Sequence, residues 1–156
     1  MAVEIHDQPF DPWQALQRYQ QQHITAGKHG ACASFVGSMR DFNDGDSVTA
    51  MTLEHYPGMT EKHLQKICDE AKQRWPILDC LIIHRVGDMR PNDPIVLTAV
   101  WSAHRTAAFD ACRFLMEELK TRAPFWKKEI LSQGERWVEN KQVKGESLKY
   151  KGKAKE

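Results

Sequence analysis

The sequence predicts an α+β domain built on a largely antiparallel sheet. Two patterns carry that expectation: β-rich runs come in pairs, and amphipathic helical segments separate the pairs, giving helix, two strands, helix, two strands, helix, two strands. Strands paired through short turn-rich segments close as hairpins, which are antiparallel. Length agrees, because a chain of 156 residues is ordinary for one domain and buries roughly 70% of the surface its unfolded form exposes.

The first helix opens at Asp11-Pro12-Trp13, with Asp as cap and Pro at the first helical position, and runs through Gln22 to a stop at Gly27. Gly30 to Met39 is small, apolar and partly alternating, as in a strand, and Asp41 to Ser47 is dense in turn formers. Thr49 to Tyr56 alternates as a second strand and ends at Pro57-Gly58. From Met59 to Trp75 the apolar residues Leu64, Ile67, Cys68, Ala71 and Trp75 recur at three and four, with Thr60 expected as cap and Pro76 as terminator. Leu78 to Val86 and Ile95 to Ala103 form a predicted hairpin across the turn-rich segment Gly87 to Pro94. The helix Arg105 to Thr121 places Ala108, Cys112, Leu115 and Leu119 on one face and ends at Ala123-Pro124. Phe125 to Leu131 and Glu135 to Val138 make a last short hairpin.

Composition narrows the function classes. Hydrophobic residues make up 41% of the chain, and no apolar run approaches the roughly 20 residues of a membrane span. The first ten residues, with Glu4, His6 and Asp7, do not read as a secretory signal, so a cytoplasmic location is expected. Cys32, Cys68, Cys80 and Cys112 form no C-x-x-C pair and lie in apolar stretches, which points to buried reduced thiols rather than disulfides or zinc. No H-x-x-x-H pattern, carboxylate cluster, G-x-G-x-x-G or P-loop occurs, so neither a metal nor a cofactor is expected. The net charge of +1 hides an asymmetry: the whole chain has 22 basic and 21 acidic residues, but the first 140 have 16 and 19, the balance lying from Lys141 onward. One domain over residues 1–143 followed by a basic tail over 144–156 is the expected organisation. A mildly acidic body offers no broad field to nucleic acid, so any bound anion must meet a local cluster of donors.

Two such clusters stand out. Ser102-Ala103-His104-Arg105 lies where a strand ends and a helix begins, so free N–H groups, the helix dipole and two cationic side chains converge on an anion. Lys120 and Lys127 flank Thr121-Arg122-Ala123-Pro124-Phe125-Trp126, whose aromatic pair can desolvate an amine and lower its pKa into the range of acid, base or nucleophile. The same residues also fit plainer duties: His104 as a helix cap, Lys120 as a partner of the helix dipole, Lys127-Lys128-Glu129 as a solvated strand face, Arg40 as a loop arginine. His55 and His84 lie in strands, where a hydrogen-bonded histidine is expected.

Gly45-Asp46-Ser47-Val48, Leu53-Glu54-His55-Tyr56-Pro57-Gly58-Met59, Ser102-Ala103-His104-Arg105, Lys120 to Lys127 and Arg136-Trp137-Val138 together resemble the MoaE family, the large catalytic subunit of molybdopterin synthase. The resemblance implies an α/β-hammerhead type of fold with an added small antiparallel β subdomain, and a homodimer at the centre of a heterotetramer. Open strand edges make a homodimer plausible independently. The implied partner is a small ubiquitin-like, MoaD-like sulfur carrier with a C-terminal Gly-Gly thiocarboxylate. The implied reaction is transfer of two sulfurs to cyclic pyranopterin monophosphate, forming the dithiolene of molybdopterin. Carried over residue by residue, Lys120 and Lys127 are the catalytic lysines, His104, Arg105 and Arg40 bind the anionic pterin, Ser38 and Met39 adjoin Arg40, and Lys128 and Glu129 adjoin Lys127. Lys141 stands where relatives have an arginine, keeping charge but losing the planar fork, and Ser38 stands where relatives often have a lysine. A non-catalytic module that captures a carrier tail by strand addition is the alternative reading.

Overall fold

The structure is a computed structural model and describes residues 2–132 and 134–138. The expected basic tail 144–156 and Lys141 lie outside the described residues.

Two sheets share the chain. The first has the order β1-β5-β7-β2, formed by β1 (Val3–His6), β2 (Ala31–Ser38), β5 (Ile77–Arg85) and β7 (Pro94–Ser102). The second has the order β3-β4-β8-β9, with β3 (Phe42–Asn43), β4 (Asp46–His55), β8 (Phe125–Leu131) and β9 (Gly134–Val138), and the short β6 (Gly87–Met89) pairs with β4. All pairings are antiparallel except β1 with β5. The expectation of an α+β domain with an added antiparallel subdomain therefore holds.

Helices α2 (Met59–Arg74) and α3 (Arg105–Arg122) cover one face of the first sheet, and α1 (Pro12–His23) covers the other. Pleating sends Cys80, Ile82 and Val100 toward α2 and α3, where they meet Leu64, Ile67 and Leu115, and sends Leu81, Ile83 and Trp101 toward α1. A central strand buried on both faces needs a continuous apolar run, which is why β5 and β7 do not alternate. Trp101 is fully buried yet satisfied, since its Nε1 donates to Gln20 at 3.0 Å. Tyr19 donates to Asp79 at 2.8 Å and stacks on Trp101, fastening α1 to the sheet. A third cluster, with Met39, Val48, Met51, Leu53, Val86 and Met89, joins the two sheets.

Several local expectations are corrected. Val3–His6 is a strand despite its polar Glu4 and His6; pairing in parallel with β5, not hydrophobic pattern, recruits it. Within the turn-forming segments, Phe42–Asn43 and Gly87–Met89 also become strands because β4 offers them partners. Thr60 is not the cap of α2. Gly58 takes that place at φ 82°, Glu61 accepts from its N–H at 2.9 Å, and the buried Thr60 hydroxyl accepts from the Tyr56 N–H and donates to the Pro124 carbonyl at 3.0 Å. Cys68, Cys80 and Cys112 are buried as expected, but Cys32 is exposed because β2 is an edge strand. By contrast Asp11 caps α1 as predicted, accepting from the N–H groups of Trp13 and Gln14. No helix among the described residues is long and apolar enough to cross a membrane.

Gly30 marks the tightest approach in the fold. Its N–H donates to the Ser102 carbonyl at 3.0 Å, and a Cβ there would lie 2.3 Å from the Ala103 carbonyl oxygen. Gly30→Ala is expected to cost about 1–3 kcal/mol through backbone displacement, read as a lower urea midpoint with unchanged slope; an unaltered midpoint contradicts the packing described.

Candidate active site

The two sheets and the C-terminal half of α3 enclose a cleft of about 600 Å³, a size ordinary for a small-ligand site. Its lining divides about evenly between polar and apolar surface, the apolar part coming from Phe35 and Gly37 of β2, Met51 and Leu53 of β4, Met116 and Leu119 of α3, and Phe125 of β8. Into that setting the fold brings three cations, Arg40, Lys120 and Lys127, with Ser38 beside them. The polar remainder includes Asn43 and Asp44 of the β3–β4 hairpin, and His84 from β5.

Lys120 and Lys127 come together because the chain reverses between them. Helix α3 ends at Ala123, whose N–H still reaches the Leu119 carbonyl, and Pro124 cannot prolong the helix. The Phe125 N–H then donates back to the Ala123 carbonyl at 3.0 Å, and β8 departs along β4. Strand alternation turns Phe125 and Lys127 to the same side. Burial pushes the Lys127 amine below the ordinary lysine range; Glu129 opposes that shift, and Lys120 and Arg40 reinforce it.

His84 is buried and stacked on Phe125 at 3.9 Å between centroids. Its Nδ1 lies 2.8 Å from the Arg85 carbonyl, which can only accept, so Nδ1 carries the proton in the neutral ring. Burial lowers its pKa to about 4 against the favourable carbonyl bond, and Lys127 and His55 lower it further. The ring is therefore neutral at neutral pH and adds no fourth positive charge.

Arg40 is positioned from behind. The Met39 N–H donates to the Asp93 carbonyl at 2.9 Å and the Met39 carbonyl accepts from Asn92, while Arg85 holds the Asp93 carboxylate at 3.1 Å. The Arg40 guanidinium lies 4.8 Å from the Phe42 ring centroid. Met39 itself is a core residue, 6% exposed, and does not line the cleft.

Other expected site residues are placed elsewhere. His104 and Arg105 start α3, and Lys120 stands in its last turn; fifteen residues of helix separate Arg105 from Lys120 by about 22 Å. One chain cannot bring them to one small anion. The His104 side chain makes no capping bond, and its carbonyl accepts from the Ser102 hydroxyl. Lys128 points away from Lys127, with its amine 3.8 Å from Glu135 and above the Trp137 ring. Glu129, 4% exposed, accepts from Asn43 and Arg136 and is absent from the cleft wall. The residues that sequence reasoning missed are mainly Phe35, Met116, Leu119 and His84, whose apolar or strand settings read locally as core.

The neutral His84 carries a sign that can be tested. Its folded-state pKa lies below the unfolded value near 6.5, so between pH 6.5 and about 4 the unfolded chain binds the extra proton and stability falls as pH falls. The integrated loss is about 3 kcal/mol. Urea titrations at pH 7 and pH 4 should show a smaller acid loss in His84→Gln than in the unaltered chain; equal losses would mean that His84 is not a buried neutral ring.

The model of the MoaE protein family matches residues 5–122. A molybdopterin synthase catalytic subunit from Pseudomonas aeruginosa is 55% identical over 141 residues, covering 90% of this chain and 92% of the relative. The solved structure of a molybdopterin biosynthesis MoaE protein from Burkholderia ambifaria superposes with a TM-score of 0.76 at 46% identity, covering 97% of this chain and 99% of the other. A molybdopterin synthase structure from Staphylococcus aureus gives a TM-score of 0.79 at 33% identity, covering 88% of this chain and 97% of the other. A family match over most of the chain, relatives aligned nearly end to end and a shared two-sheet fold agree with the residues around the cleft: this chain belongs to the MoaE family.

Proposed function

We propose that this chain is the catalytic subunit of a molybdopterin synthase, and that the cleft between its two sheets is where sulfur passes from a carrier's C-terminal thiocarboxylate to cyclic pyranopterin monophosphate. The observation that carries the reading is the grouping of Arg40, Lys120 and a half-buried Lys127 of lowered pKa in one cleft. Each part suits the chemistry. A substrate monophosphate and a thiocarboxylate tail are both anions, and guanidinium and ammonium groups offset their charge. Transfer of sulfur breaks the carrier's C–S bond, replaces it by a C–O bond to oxygen from water, and moves protons that lysine amines at the cleft can donate or accept. Lys120 is the principal acid-base or covalent group in this reading, and Lys127 holds the substrate and the tail. Phe35, Met116, Leu119 and Phe125 line the path with apolar surface suited to an extended Gly-Gly end.

His104 and Arg105 enter the reading through a second copy of the chain. They cannot reach the cleft of their own protomer, but in a homodimer they can complete the anion site of the partner. Residue types support this: a histidine and an arginine at the exposed start of α3 have free N–H groups beside them and make no capping bond of their own. The working assembly is then a homodimer carrying one small ubiquitin-like subunit at each cleft. A cytoplasmic location belongs to the same reading, since free thiols such as those of this chain persist in reducing compartments.

Lys120→Ala is expected to lower dithiolene formation from purified carrier thiocarboxylate and precursor by about 10²- to 10⁴-fold, with carrier affinity by titration calorimetry within a few-fold of normal. Near-normal turnover removes Lys120 from the mechanism, and absence of any heat with the precursor alone favours a mere tail-binding module.

Sharing of sites between copies makes a second prediction. Lys120→Ala and Arg105→Ala homodimers should each be impaired, whereas mixed dimers regain one intact site of the two. Mixing that restores nothing, despite subunit exchange shown by native mass spectrometry, argues against a site built from two copies.

A further inference from the structure

Beside the cleft, β8 and β9 carry a closed ring of polar contacts that the reaction does not itself require. Arg136 lies directly across the strand pair from Glu129. Its Nε donates to Glu129 at 2.9 Å, Nη1 to Asp46 at 2.8 Å and Nη2 to the Asn43 carbonyl at 2.8 Å. The Asn43 side-chain amide closes the ring by donating to both Glu129 oxygens at 3.0 and 3.2 Å. Glu129 is nearly inaccessible, so its carboxylate depends on these donors for compensation.

Glu129 follows Lys127 by two positions on the same strand, which puts both side chains on one side of the sheet with their Cα atoms roughly 7 Å apart. A lysine chain spans that distance. A buried carboxylate and a half-buried amine so placed would pair if nothing else claimed the carboxylate.

We propose that Arg136 is a positioning residue for the active-site lysine: by occupying Glu129, it keeps that carboxylate from capturing Lys127 and so leaves the amine directed to the cleft. The inference rests on the reading of Lys127 as a working amine. The groups around Lys127 make the competition meaningful. Lys120 faces it from α3, Arg40 from the β2–β3 connection, and His84, neutral at working pH, from β5. Across the strands β4 opposes it with Leu53 and β9 with Val138, both uncharged, and the nearby His55 of β4 acts on His84. Asp44 of the β3–β4 hairpin lines the same cleft, and among the groups acting on Lys127 the Glu129 carboxylate already works against the two cations. Asn43 couples this ring to the cleft directly, because it lines the wall while holding Glu129.

Competitive acetylation of the full chain over a pH series, read by mass spectrometry at Lys127, reports the amine's titration midpoint without any turnover. In Arg136→Gln the midpoint should rise by about one unit or more, as expected for a newly acquired ion pair. In Arg136→Gln/Glu129→Gln it should return to the original value or fall below it. Arg136→Lys, which keeps the charge but loses the fork, should lie between and serves if the glutamine variant folds poorly. An unchanged midpoint in Arg136→Gln, or an equal rise in the single and double variants, overturns the proposal and leaves Arg136 as a strand staple. Sulfur transfer by the same variants separates the two readings: a shifted midpoint with unaltered turnover would uphold the Arg136 inference and remove Lys127 from the chemistry.

Discussion

The turn at Ala123-Pro124 is the constraint on which the cleft depends. It converts the last turn of α3 into the first residues of β8, so that Lys120 and Lys127, seven positions apart in the chain, face one space. Pro124 forbids continuation of the helix, but a proline alone does not aim the exit. The aim comes from α2. The Thr60 hydroxyl grips the Pro124 carbonyl, and Arg122 pairs with Glu70 of α2 at 2.5 Å and with Glu118 of α3 at 2.9 Å. These bonds hold the Glu70 carboxyl below its usual range, chiefly through the Arg122 hydrogen bond. The helix pair thereby sets the origin and direction of β8, and β4 fixes its register over Val48 to His55.

Gathering Arg40, Lys120 and Lys127 around one cleft is unfavourable without an anion, since like charges repel and burial removes water from Lys127. The fold tolerates the arrangement by devices outside the cleft. His84 is kept neutral by burial, helped by the charges of Lys127 and His55, against the opposing effect of its bond to the Arg85 carbonyl. Arg85 spends its charge on Asp93 and on the Asp88 carbonyl, so it steadies the loop that holds Met39 and Arg40 without adding to the field in the cleft. Glu129, two positions after Lys127 on the same strand, is bound by Arg136 and Asn43. What remains at the cleft is three cations with the single carboxylate Asp44 among the described lining residues, an excess of positive charge suited to an anion.

The two sheets divide the work. The first, sandwiched between helices and nearly continuous in its apolar strands, supplies stability and the rigid ends from which His84, Ser38 and Arg40 project. The second is smaller and more polar, and its cross-strand ring of Arg136, Glu129, Asn43 and Asp46 shapes one wall. Helix α3 brings Lys120 to the cleft at one end and sets Arg105 about 22 Å away at the other.

Local physics made much of this legible in the sequence. Capping by Asp11-Pro12, the three-and-four spacing in α2 and α3, the β-rich runs and the proline stops depend on neighbours in the chain, so the helices and main strands were readable with bounds shifted by no more than three residues, as at the start of β4. The motifs around Lys120, Lys127 and Arg40 marked a candidate site for the same reason, because residue type and short spacing carried the signal. Strands β1, β3 and β6 were not readable, since four, two and three residues have no pattern of their own and pair only because a partner edge is present. Thr60 was misjudged as a cap because its actual acceptor, Pro124, lies 64 positions away. Sequence motifs joined His104 and Arg105 to the lysines, and likewise Lys128 and Glu129 to Lys127. Only the tertiary structure could divide them, by the rigid length of a helix in the first case and by strand alternation and the Arg136 ring in the second. The chain alone thus determined which residues have the chemistry for an anion and a proton; distance and direction, which arise only on folding, decided which of them can act on the same substrate.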